Sequence, residues 1–158
     1  MSFEWAGVPG AALGSDLDAW LVERSHGDSM VFYSVGFSHS DETAVFDAML
    51  NGTPPLLLPL VRVPLALAEE AMTEDVRDIG PQDVDWDAVE GSTVDVAPTA
   101  WHLTLTAGER IVVYAHRYRR EGGEYLFTLP SQGGRIQLPI ARISERLVAE
   151  VVEGPPLD

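Results

Sequence analysis

The chain has 158 residues, 46% of them hydrophobic and 22% charged, a length and composition that predict one globular domain with its own apolar core and exclude a disordered tail. Twenty-five carboxylates against ten cations leave a net charge of −15, which disfavours nucleic acid and anionic membrane surfaces as partners and favours a basic protein. The absence of cysteine excludes a disulfide scaffold, a thiol nucleophile and Cys-based metal sites, and no apolar run approaches the roughly 18 residues of a membrane span.

Residues 1–14, with Gly7, Pro9, Gly10 and Gly14, read as a flexible lead-in that lacks the basic and apolar regions of a signal peptide, so a cytoplasmic address is expected. Ser15 followed by Asp18 resembles a capping box and predicts a helix over 16–25, with Leu17, Trp20, Leu21 and Arg24 on one face. Residues 30–37 are rich in β-branched and aromatic side chains and predict a strand. A second helix is expected over 41–50, with Ala44, Val45, Ala48 and Met49 at helical spacing and Asn51-Gly52 as its stop. Residues 56–63 predict a strand that Pro59 confines to a sheet edge or an extended crossing, and 65–73 a short helix behind Pro64.

Periodicity then disappears. Residues 74–98 read as a long acidic loop, and 69–95 as a whole carry ten carboxylates and only Arg77. Turn signals at Ala107-Gly108, Gly122-Gly123 and Gln132-Gly133 divide the rest into a four-stranded antiparallel meander. Two-residue loops at each turn would place Trp101, Tyr114, Phe127 and Leu138 on one buried face. Ile143, Leu147, Val148, Val151 and Val152 at helical spacing predict a closing helix. No internal repeat is visible. The fold class expected is therefore α+β: an N-terminal half of helices and strands, and a C-terminal meander closed by a helix, forming one domain over 1–158.

Chemistry-bearing clusters are few. Trp86 among Asp83, Asp85, Asp87 and Glu90 is the candidate partner-binding site, because a carboxylate field attracts a basic surface, while the aromatic residue either folds back to anchor the segment on its own core, the favoured reading, or projects as an anchor for the partner. Tyr114, His116 and Tyr118 form a candidate ligand pocket, and Arg117, Arg119 and Arg120 a candidate anion contact with Glu121 and Glu124 close enough to neutralise it. His102 and His116 fall on different faces of the meander, which argues against a shared metal. The repeated His26-Gly27-Asp28 and His39-Ser40-Asp41 read as turn and helix-start residues. Gly36-Phe37-Ser38-His39-Ser40 lacks the second glycine of a nucleophile elbow. No cofactor and no metal site are expected.

These features predict a non-enzymatic accessory factor of the immunity-protein or secretion-chaperone type that engages a basic partner. The alternatives are a small enzyme or small-molecule binder with a pocket between sheet and helices, and a structural subunit of a larger assembly such as a phage particle. Self-association is compatible with each.

Overall fold

The computed structural model describes residues 11–14, 17–24, 27–51, 56–79, 84–94 and 96–156. In chain order it begins with strands β1 (Ala11–Ala12), β2 (Asp18–Glu23), β3 (Ser29–Ser34), β4 (Gly36–Ser40), β5 (Thr43–Leu50) and β6 (Leu56–Pro64). Helix α1 (Leu65–Glu69), β7 (Met72–Glu74), helix α2 (Val76–Ile79), a 3-10 turn at Trp86–Ala88 and β8 (Thr93–Val94) follow. The chain continues through β9 (Thr99–Leu105), β10 (Arg110–Ala115), β11 (Arg117–Glu121), β12 (Glu124–Ser131), β13 (Ile136–Ser144), a second 3-10 turn and β14 (Val148–Pro156). Two six-stranded antiparallel sheets face each other: sheet I in the order β14-β9-β10-β6-β5-β4, and sheet II in the order β11-β12-β13-β3-β2-β7. A short β1-β8 ribbon joins them.

The α+β expectation is thus overturned: the described residues form a nearly all-β protein with two short helices. The helix expected over 16–25 is the strand β2, which lies between β3 and β7 with Ala19 and Val22 both buried. A strand covered on both faces loses its two-residue alternation, and apolar residues then fall at helical spacing by accident. The helix expected over 41–50 is β5, whose true period is Ala44, Phe46, Ala48 and Leu50 inward with Val45 and Met49 outward. The closing helix is also a strand, because Val148, Val151 and Val152 pair with β9. Only Leu65–Glu69 of the helix expected over 65–73 is helical, and Met72–Glu74 instead pairs with β2.

Other departures have equally local causes. Pro59 sits inside sheet I, where a register shift opposite Phe46 and Asp47 leaves no ladder bond for its missing N–H to make. The β9–β10 connection spans 106–108 with Gly108 at φ 101°, and Leu105 N–H bonds Glu109 O at 2.8 Å, a three-residue loop that slips the pairing by one residue. Trp101 therefore faces Val113, and Tyr114 points to the other face of the sheet, which corrects the shared face expected for the two. The Gly122-Gly123 hairpin pairs Glu121 with Glu124 as the two-residue loop requires. The meander itself is broken, since the chain leaves sheet I for sheet II at His116. The lead-in lies mostly outside the described residues, but Ala11–Leu13 bridge to Val94, Thr93 and Leu50.

The strand orders reveal an internal repeat that the sequence reading misses. Exchanging β2 with β9, β3 with β10, β4 with β11, β5 with β12, β6 with β13 and β7 with β14 converts the order of sheet II into that of sheet I. At an offset of 81 residues Ala19-Trp20 matches Ala100-Trp101, Tyr33 matches Tyr114 and Phe46 matches Phe127; at 80 residues Leu58-Pro59 matches Leu138-Pro139 and Arg62 matches Arg142. The bonds repeat too. Trp20 Nε1–H donates to Ser34 O at 3.2 Å and Trp101 Nε1–H to Ala115 O at 3.1 Å, each at the point where its half crosses between sheets. Asn51 N–H bonds Ala12 O and Gln132 N–H bonds Thr93 O, both at 2.8 Å. Ala12 and Thr93 are themselves paired, so the pseudo-twofold axis runs through the β1-β8 ribbon. Each half places its second hairpin in the other half's sheet.

The core lies between the sheets and holds two aromatic clusters. Trp20, Phe32, Phe37 and Phe46 pack at one side, with Phe32 and Phe46 ring centres 5.1 Å apart, and Trp101, Tyr118, Tyr125 and Phe127 pack at the other. Offset and edge-on ring pairs of this kind add to the burial of each ring.

Candidate functional site

The described residues of the acidic segment carry only short elements joined by turns, and they pack as a layer. It lies across the outer face of sheet II, where Trp86, 7% exposed, sits with its ring centre 5.9 Å from that of the fully buried Tyr33. Val76, Val89 and Val94 are buried with it. Ser131 Oγ–H donates to Ser92 Oγ at 2.7 Å, and Ser92 Oγ–H donates to Val89 O at 2.7 Å, which fastens the layer to the end of β12. Trp86 therefore anchors the layer on this chain's own core. The polar residues point the other way: Asp85, Asp87 and Glu90 are exposed, and Asp83 lies outside the described residues. Glu69, Glu70, Glu74, Asp75 and Asp78 are exposed as well, and Arg77, bonded to Asp87, is the sole cation among the described residues of 69–94.

The remaining candidates are spread apart. Tyr114 is buried on the outer face of sheet I, His116 marks the crossing with its N–H on Thr128 O at 2.8 Å, and Tyr118 packs edge-on against Trp101 at 5.1 Å between the sheets. Register puts Tyr114 and Tyr118 in different sheets and on different faces. Arg117, Arg119 and Arg120 are exposed on β11. Arg119 bonds Glu121, while Arg120 bonds Glu145 at 2.9 Å, lies over the Tyr125 ring and holds the Glu145 carboxyl below its ordinary range. His102 is exposed on sheet I, and His26 lies outside the described residues. Asp28 accepts a bond from Ser144 Oγ at 2.8 Å, and Asp41 occupies a hairpin turn at φ 56°. Among the described residues, no group of three His, Asp or Glu side chains could hold a metal.

A polar cleft of about 350 Å³ opens between Gly27–Ser29, Gly122–Glu124 and Ser144–Arg146. Its carboxylates already have partners: Asp28 in Ser144, Glu124 in Arg142 and Glu145 in Arg120. Ser144 is the hydroxyl bonded to a carboxylate there, and no histidine stands among the described lining residues.

Asp47 is a residue that the sequence reading does not single out. It lies on β5 between Gly36 of β4 and Pro59 of β6, and is 6% exposed. Among the described residues no hydrogen bond or ion pair reaches its carboxylate, and burial raises its pKa from 3.8 to about 6. A lone acid inside an otherwise apolar run was the available signal.

Neither protein-family models, nor curated proteins, nor solved structures match this chain. Among the described residues, no helix is long and apolar enough to cross a membrane.

Proposed function

We propose that this protein is a non-enzymatic binding factor that engages the basic surface of another protein through the carboxylates of its outer acidic layer. One observation carries the reading: Trp86 and Val89 are buried while Asp85, Asp87 and Glu90 around them all project outward. The charges are held at fixed positions on a packed layer, so a partner meets them without first ordering a chain. Mutual repulsion among these carboxylates is relieved when a cationic surface docks, and their summed field speeds the encounter.

The test uses a compact cationic protein, cytochrome c, as probe, with association measured at several ionic strengths. Converting Asp85, Asp87 and Glu90 to Asn, Asn and Gln should weaken binding at low salt and flatten its salt dependence. A control variant that neutralises Glu150 and Glu153 on β14 should leave both nearly unchanged. Equal losses in the two variants would mean that overall acidity attracts the probe, and that the layer is no site.

A further inference from the structure

Between the two halves of the repeat, Gly36 takes the place of Arg117 and Asp47 that of Thr128. Sheet edges offer unpaired N–H and C=O groups that invite another chain, and most edges here are guarded. The edge strand β11 carries Arg117, Arg119 and Arg120, β7 is three residues long, and β14 has register shifts together with Glu150, Glu153 and Pro155. β4, the counterpart of β11, holds Gly36, Phe37, Ser38, His39 and Ser40, with no carboxylate, arginine or proline. Ser40 and Thr43 close a two-residue hairpin, so Ser38 and Gly36 bond β5 while Phe37 and His39 turn their backbone groups to the open side. Among the described residues no strand takes them.

Across this edge, Arg117 faces Thr128 in one half, whereas Gly36 faces Asp47 in the other. A Cβ placed on Gly36 would meet no atom within 4 Å. An open slot therefore leads over β4 to Asp47, 6% exposed and without a hydrogen-bond or ion-pair partner among the described residues. We propose that β4 is a docking edge for an extended segment of a protein partner, which adds to sheet I as a further strand and places an arginine or lysine opposite Gly36 with its head group on Asp47. Two strand spacings separate the added strand from β5, roughly 10 Å, a gap that an arginine and an aspartate together span only if the strand between them bears no side chain. The carboxylate supplies the charge that the backbone ladder lacks, and burial makes that ion pair stronger than a surface one. This edge belongs to sheet I and the acidic layer covers sheet II, so the inference does not rest on the function proposed above.

The probe is the peptide acetyl-Thr-Val-Arg-Val-Thr-amide, compared with its citrulline counterpart, which keeps the shape and loses the charge. Both are titrated into the full chain at neutral pH and followed by amide chemical shifts. Shifts should gather at Phe37 and His39, and the arginine peptide should bind at least about tenfold more tightly than the citrulline peptide. Asp47→Asn should erase that preference, while the Asp85, Asp87 and Glu90 variant retains it. His39→Pro, which removes an outward N–H, should weaken both peptides. Equal affinity of the two peptides, a preference that survives Asp47→Asn, or no shift in β4 at about 10 mM peptide would each overturn the proposal. Shifts confined to residues 69–90 would overturn it as well, and would favour the acidic layer instead.

Discussion

Replacing Asp47 by asparagine should stabilise the protein above pH 6 and leave it unchanged near pH 4. The folded state raises this carboxyl from 3.8 to about 6 because burial between Gly36 and Pro59 removes water and supplies no donor in its place. The folded chain therefore holds the proton more tightly than the unfolded chain. Stability is full below the unfolded value, falls as pH rises from 3.8 to about 6, and stays at the lower level above it. A shift of about two units at 1.36 kcal/mol each caps the effect at about 3 kcal/mol, and the solvent still reaching the carboxylate oxygens lowers it to about 1–2 kcal/mol. Asparagine has nearly the same shape and no ionisation, so it recovers that loss, equivalent to roughly 2–8 °C in Tm for a chain of this length. Urea or thermal unfolding of both proteins between pH 4 and pH 8 measures it, and the difference between them cancels the contribution of the other carboxylates. If asparagine changes stability by the same amount at both ends of that range, Asp47 does not titrate through the fold and the desolvation argument is wrong.

Three further outcomes follow from the packing. Phe127 is fully buried against Tyr118, so Phe127→Ala should cost on the order of 3–5 kcal/mol in urea unfolding, and a value near zero would place the ring outside the core. Tyr33 buries a hydroxyl with no hydrogen-bond partner among the described residues and its pKa is pushed up to about 12, so Tyr33→Phe should be neutral or stabilising by about 1 kcal/mol, and the wild-type phenol should not ionise in ultraviolet titrations to about pH 11. A loss exceeding 1 kcal/mol in that variant would reveal a bonded hydroxyl. Gly108 needs φ 101°, so Gly108→Ala should cost about 1–3 kcal/mol by the same assay, whereas Ala107→Gly should cost less.

The strands that the sequence makes legible are those with one wet face or a clear turn. Gly122-Gly123 reads correctly because both residues hold positive φ, at 61° and 80°, and the register across them follows from the turn alone. β2 and β5 are misread because each is covered on more than one side, or carries residues such as Ala44, Ala48 and Met49 that favour helices. The acidic segment is noticed for its charge, but its structure comes from Trp86, Val89 and Val94 meeting a sheet face that no local pattern announces. Asp47 was invisible for a related reason, since its burial depends on which strands flank it. The repeat escapes notice because the two halves share buried residues such as Phe46 and Phe127 and differ across their surfaces.

The exchange of hairpins between the halves has a consequence for how the chain assembles. β6 meets β10 at Arg62 and Val112, and β3 meets β13 at Phe32 and Ala141, pairs far apart in the chain, so the central ladders of both sheets close over long loops. Such a topology predicts slow folding with late closure of both sheets at once. Neither half has a complete sheet to itself. A nick between Ile79 and Val84 would yield two fragments that are each unfolded alone and that complement one another on mixing. The protein is in this sense an interlocked dimer whose two subunits share one backbone.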